Sequence, residues 1–173
     1  MVELAGEVAD GALVMAGVHP ASLAAARERL AAGARRAGRS LDGFPVIWVV
    51  PIGLADDLAT ARRWPQTGLE NGLSWITYPS PSNLHWLRIA GIPIPDQPSP
   101  RDISDQLAAR ICDAFGLFGT PEQCLEQLQR MGETAPIEHI WLTPNHTVEG
   151  GYEMPVRELE VFRDLIFPAL ARS

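Results

Sequence analysis

The most constraining feature of this chain is a set of short runs that are apolar on both sides of an extended backbone. In residues 44–53, Val46, Trp48, Val50 and Ile52 alternate with Ile47 and Val49. In residues 12–17, Leu13 and Met15 alternate with Ala12, Val14 and Ala16. A strand wetted on one face alternates apolar with polar residues, whereas a strand apolar on both faces belongs to a sheet covered twice, typically a parallel one. A third run, 137–143, sets Ile140 and Leu142 against His139, Trp141 and Thr143.

Helical patterns separate these runs. Val2, Ala5 and Ala9, with Leu4 and Val8, give helical spacing over 2–9, and Asp10-Gly11 ends it. Pro20 to Ala37 carries Leu23, Ala26, Leu30, Ala34 and Ala37 along one stripe, and Gly38 is placed as a left-handed cap. Asp56 is expected to cap the helix after the second run, which Pro65 interrupts. Residues 64–100 are broken repeatedly by proline, with a short helix over 82–90 whose Leu84, Trp86 and Leu87 face inward. Ser99 or Asp102 starts a further helix through Ile103, Leu107, Ile111 and Ala114. Thr120-Pro-Glu-Gln123 combines a threonine cap, a proline at the first helical position and a glutamine placed for a capping box. Cys124, Leu125, Leu128 and Met131 form that helix's buried stripe, and Gly132 follows its last turn. A closing helix spans 155–167, ended or kinked by Pro168.

Strands alternating with helices predict an α/β fold with a parallel sheet built from right-handed crossovers. At 173 residues the chain falls short of the roughly 250 that a complete eight-stranded α/β barrel needs. Fourteen basic residues, all arginine, stand against 21 acidic ones for a net charge of −7. No basic run exceeds a pair, so a phosphate-backbone footprint and a nucleic-acid partner are not expected. Two cysteines are too few for a disulfide framework or a metal cluster, and no run is long enough to span a bilayer. A cytoplasmic protein without a membrane partner is the expectation.

Four segments together resemble the C-terminal part of the luciferase-like family of flavin- or deazaflavin-dependent oxidoreductases. They are Leu4-Ala-Gly-Glu-Val-Ala-Asp-Gly11, Ala37-Gly38-Arg39, Phe118-Gly-Thr-Pro-Glu122 and Phe167-Pro-Ala-Leu170, in family-like order and spacing. The resemblance implies a partial (β/α) barrel of TIM type. Met1 would fall inside the helix after strand five, runs 12–17, 44–53 and 137–143 would be strands six to eight, and the helical excursion would span about 56–114. It implies FMN or the deazaflavin coenzyme F-420 as cofactor, and hydride transfer or monooxygenation as the activity. The family's catalytic groups and main cofactor contacts come from the first five strands and their loops, upstream of Met1, so no catalytic residue and no metal ligand is assigned here.

What remains is the rim at the C-terminal strand ends, the active face of such barrels. Gly17 and His19 follow the first run, and Thr143, Asn145 and His146 follow the last; these five are the candidate cofactor contacts. Each has a plainer reading: His19 as a solvated loop histidine, Thr143 as packing, Asn145 and His146 as an irregular polar loop. Asp56-Asp57 reads as capping chemistry, Cys112 and Cys124 as inert packing thiols, and Gly150-Gly151 lacks the context of a nucleotide loop. Two functional expectations follow. One is an oxidoreductase segment that is not catalytic alone, because the cofactor-binding half is missing from it. The other is a non-catalytic truncated half-barrel that self-associates or docks on a partner. Either way, strands apolar on both faces expect a homo-oligomer or a complementing polypeptide, since burying six to eight such side chains is worth on the order of 10–20 kcal/mol.

Overall fold

The computed structural model describes residues 1–69, 81–134, 136–144 and 154–171. Its elements run α1 (Val2–Val8), β1 (Ala12–Val14), α2 (Pro20–Arg36), β2 (Val46–Leu54), α3 (Leu58–Arg62), a 3-10 turn (Trp64–Leu69) and α4 (Pro81–Ile89). A second 3-10 turn (Pro100–Asp102), α5 (Asp105–Phe115), β3 (Leu117–Gly119), α6 (Pro121–Thr134), β4 (His139–Pro144), α7 (Val156–Val161), a π turn (Phe162–Ile166) and α8 (Phe167–Leu170) follow.

β2 is the hub of the sheet, because every other described strand pairs with it and all pair in parallel. Trp48 is paired with Val14 on one side and Ile140 on the other, so β1 and β4 flank opposite edges. Ile52 is likewise shared between Leu117 and Pro144, which puts β3 beyond β1 on the same edge. Among the described residues the sheet does not close on itself.

The register sorts side chains onto two faces. Val14, Trp48 and Ile140 form one row, followed by Val50 with Leu142. Trp48, Val50 and Ile52 are buried beneath the helices, in one core with Leu23, Leu30, Leu87, Ile111, Leu128 and Ile166. On the opposite face Leu13, Ile47 and His139 form a row, with Val49 and Trp141 beyond it. Leu13 and Trp141 there are 59% and 57% exposed. The expected double covering is therefore met on one side only.

α1 and α2 run antiparallel in unusually close contact. A Cβ on Gly6 would strike the Leu30 carbonyl, and one on Gly33 would strike the Glu3 carbonyl. Arg36 then reaches across to Glu3 and Glu7 at 3.1 and 3.2 Å. Arg39 donates to the carbonyls of Glu7 and Ala9, satisfying the C-terminal end of α1. Gly38 takes the expected left-handed conformation at φ +65°.

Several local expectations are corrected. Asp57, not Asp56, caps α3: its extended backbone lets Oδ1 accept from the Thr60 amide at 2.8 Å, three residues on. Asp56 instead pairs with Arg157 at 2.7 Å. α5 starts later than Ser99 or Asp102, with Ser104 accepting from the Leu107 amide at 3.2 Å, because a 3-10 turn occupies 100–102. Gly132 lies within α6, which continues to Thr134. Ala37, past the last turn of α2, is exposed.

Pro168 does not end the last helix. The Phe167 amide bonds to the Phe162 carbonyl, a π-type step. That widened turn comes just before a residue with no amide hydrogen and a ring that crowds the preceding turn. The capping box at α6 forms as the sequence predicts, with Thr120 N donating to Gln123 Oε1 at 3.0 Å and Gln123 N donating to Thr120 Oγ1 at 3.5 Å.

The α1–α2 contact yields a stability prediction. Gly33→Ala should cost about 2 kcal/mol, because the added methyl meets backbone rather than a yielding side chain. Arg36→Ala, which removes only exposed pairs, should cost under about 1 kcal/mol. Urea midpoints of the two variants check the order.

Candidate functional site

The C-terminal ends of the parallel strands set the candidate site. β1 leads into Gly17, whose φ of +81° is open to glycine at little cost. A Cβ there would sit 2.5 Å from the Ala114 carbonyl. The same carbonyl accepts from Val18 and His19 amides at 2.9 and 3.1 Å, so this loop is clamped to the end of α5. Gly17 thus serves chain packing at a buried position.

His19 is the N-cap of α2, its Nδ1 accepting from the Ala21 amide at 3.2 Å. That bond commits Nδ1 and leaves Nε2 for other contacts. His19 borders a surface depression of about 420 Å³, with Leu58, Arg62, Asp113, Gln123 and Arg130 around it. Arg62 is held there by a forked bond to Asp113 at 2.8 and 2.9 Å. Sequence reasoning missed this pair, whose members lie 51 residues apart.

Thr143 stands across β2 from the Gly17–His19 loop, paired with Pro51 and half-buried on the bare face. Asn145 and His146 lie outside the described residues. β3 is a further element the sequence left unread. Buried Gln127 stitches it to α6: Phe118 N donates to Gln127 Oε1 at 3.2 Å, and Gln127 Nε2 donates to Phe118 O at 3.1 Å. A glutamine nine residues after a Phe-Gly pair was the available signal.

Both thiols are unsuited to chemistry. Burial pushes Cys112 far up, reinforced by Asp113, and burial with Glu122 nearby pushes Cys124 up to about 12. Among the described residues no group of His, Cys, Asp or Glu is placed to hold a metal ion, and no helix is long and apolar enough to cross a membrane.

Against known proteins, the model of luciferase-like monooxygenases matches residues 1–138. The chain belongs to the luciferase-like monooxygenase family. It is 30% identical over 161 residues to a 5,10-methylenetetrahydromethanopterin reductase of Methanolobus tindarius, covering 84% of this chain and 46% of that protein. Three solved structures share the fold of this luciferase-like chain. The coenzyme F-420-dependent tetrahydromethanopterin reductase of Methanopyrus kandleri superposes with a TM-score of 0.54 at 17% identity, covering 98% of this chain and 48% of that one. A riboflavin lyase with modified FMN and riboflavin gives 0.55 at 18%, covering 99% and 40%. The FMN-bound oxygenating constituent of the 3,6-diketocamphane monooxygenase of Pseudomonas putida gives 0.52 at 17%, covering 96% and 44%. The chain therefore spans less than half the length of each of these relatives, and its open parallel sheet with flanking helices is a partial (β/α) barrel.

The described residues test directly whether a flavin or deazaflavin fits. They offer one imidazole with a free Nε2, one half-buried hydroxyl and a guanidinium already engaged by Asp113. That is a rim that can touch a cofactor's polar edge, and it does not enclose a ring system.

Two measurements follow from the site's chemistry. Iodoacetamide at pH 8 should label neither cysteine of the folded chain and both in urea, as buried thiols of raised pKa require. In α4, burial first, then Arg29 and Arg88, lowers the pKa of His85. Its stabilising contribution is therefore whole above about pH 6.5 and is lost as pH falls through the lowered value. Thermal midpoints at pH 7.5 and 5.5 should differ less in His85→Gln than in the unmodified chain.

Proposed function

We propose that this chain forms the C-terminal part of a flavin- or deazaflavin-dependent oxidoreductase, contributing the rim of its cofactor site. The family match carries the reading. The cofactors of its relatives, coenzyme F-420 in one and FMN in another, support it. A flavin or deazaflavin supplies the hydride-carrying or oxygen-activating chemistry when bound, while the protein binds and orients. On this reading His19 Nε2 and the Thr143 hydroxyl, with Asn145 and His146 that follow it in sequence, contact the polar edge of the cofactor. Gly17 fixes the path that aims His19. FMN and coenzyme F-420 are both candidates, and turnover needs strands beyond those of these residues, because the rim alone leaves the ring system wet.

Fluorescence titration tests this. The chain alone should show no saturable quenching of FMN or coenzyme F-420 at tens of micromolar. An assembly completed by the remaining strands should bind one of them, and His19→Ala should weaken that binding about fivefold, one hydrogen bond's worth. If a completed assembly binds neither, the second reading stands: a half-barrel that associates without turnover, favoured by the exposure of Leu13 and Trp141.

A further inference from the structure

We propose a second binding site, on the helix side of the sheet. The cavity between α6, β4 and the last helices takes a cationic amphiphile, an aliphatic or aromatic body carrying an ammonium or amidinium head. It lies on the opposite face of β4 from Thr143, and nothing in it depends on the rim.

The cavity has a volume of about 820 Å³, within the roughly 300–1,000 Å³ of small-molecule sites. Its floor is Ile140 and Leu142 of β4, which alternate with His139, Trp141 and Thr143 of the bare face. Leu128 borders it from α6, and Phe162, Phe167 and Leu170 from the last helices. Residues five apart in a regular α-helix point about 140° away from each other. The π-type bond from the Phe167 amide to the Phe162 carbonyl widens the turn and brings both rings to one wall, edge to face with centroids 5.5 Å apart. Such widened turns recur at functional sites.

Gly132 marks this wall as one kept open. It stands one turn beyond Leu128 on the same face of α6 and borders the cavity. A Cβ there would meet nothing within 4 Å. Glycine inside a helix weakens it. Gly6 and Gly33 offset that cost by letting two backbones touch, and Gly132 has no such neighbour. The side chain it lacks is one that would narrow the cavity beside Leu128.

The charges select the ligand's head. Glu133 and Glu138 border the cavity, both exposed, and neither has a hydrogen bond or ion pair among the described residues. No guanidinium borders it among the described residues. Arg157 and Arg163 of the last helices are held by Asp56 and Asp164. An apolar interior with two uncompensated carboxylates at its margin attracts a cation with an apolar body and repels a fatty anion.

Calorimetric titration of the chain with decyltrimethylammonium, below its micellar concentration, tests the site. One saturable site per chain is expected, with decanoate bound about tenfold more weakly or worse. Methyl resonances of Ile140 and Leu142 should shift, and those of Leu13 and Val49 on the bare face should not. Glu133→Gln combined with Glu138→Gln should cut the preference for the cation to under about twofold, since these carboxylates supply it. Gly132→Trp places its side chain in open space and has a higher helix propensity than glycine. It should keep the thermal midpoint and weaken binding about tenfold. Equal binding of decanoate would overturn the proposal, as would shifts confined to the bare face or undiminished binding by Gly132→Trp. Should Gly132→Trp fail to fold, the glutamine pair and the methyl shifts decide. A dimer that Gly132→Trp abolishes with no amphiphile present would overturn the proposal in favour of a second copy.

Discussion

A parallel strand apolar on both sides has to be covered on both sides, and β2 is such a strand. Its backbone bonds to β1, β3 and β4, so every other strand takes its position from it. One face is sealed by helices, leaving Trp48, Val50 and Ile52 at 1% exposure or less. The other carries Ile47 and Val49 between two exposed neighbours, Leu13 and Trp141. The hydrophobic effect is indifferent to which chain supplies the cover, but it does not leave such a face unoccupied without cost.

The covered half is held by devices that owe little to the bare one. Gly6 and Gly33 let two helix backbones touch, Arg39 closes the end of α1, and Gln127 gives β3 the bonding partner a further strand would have given. Each links elements separated by no more than about thirty residues of sequence. Longer reach comes from the Ala114 carbonyl, which clamps the Gly17–His19 loop, and from Arg62 and Asp113. These contacts hold the Gly17–His19 loop at the end of α5 and tie α3 to the same helix.

Much of this was legible in the residues. Apolar runs on two faces announced β1, β2 and β4, and capping chemistry located the start of α6 almost to the residue. What escaped was set by geometry with no periodic trace. β3 is three residues long, too short for alternation to register, and is defined by its pairing with Ile52, Gly53 and Leu54. The choice between Asp56 and Asp57 as cap turned on which backbone is extended, which two adjacent carboxylates do not reveal. The π turn before Pro168 lets the helix continue through Phe167 and Leu170, where the proline alone reads as a stop or a kink. At the rim, Gly17 and His19 could be named from the sequence, but their clamp to Ala114 could not, since α5 lies nearly a hundred residues away.

The rim and the bare face are physically coupled. In an open parallel sheet the C-terminal strand ends are the edge of the same surface whose interior carries Leu13, Val49 and Trp141. A ligand that touches both the Thr143 end of β4 and the strands covering that surface binds the assembled state alone. By linkage it stabilises assembly by RT ln(1 + [L]/Kd), about 2.7 kcal/mol at a hundredfold excess over Kd. Assembly in turn raises the ligand's apparent affinity by the same factor. For any such ligand, binding and covering of the bare face would be one equilibrium, tied together by the apolar surface they share.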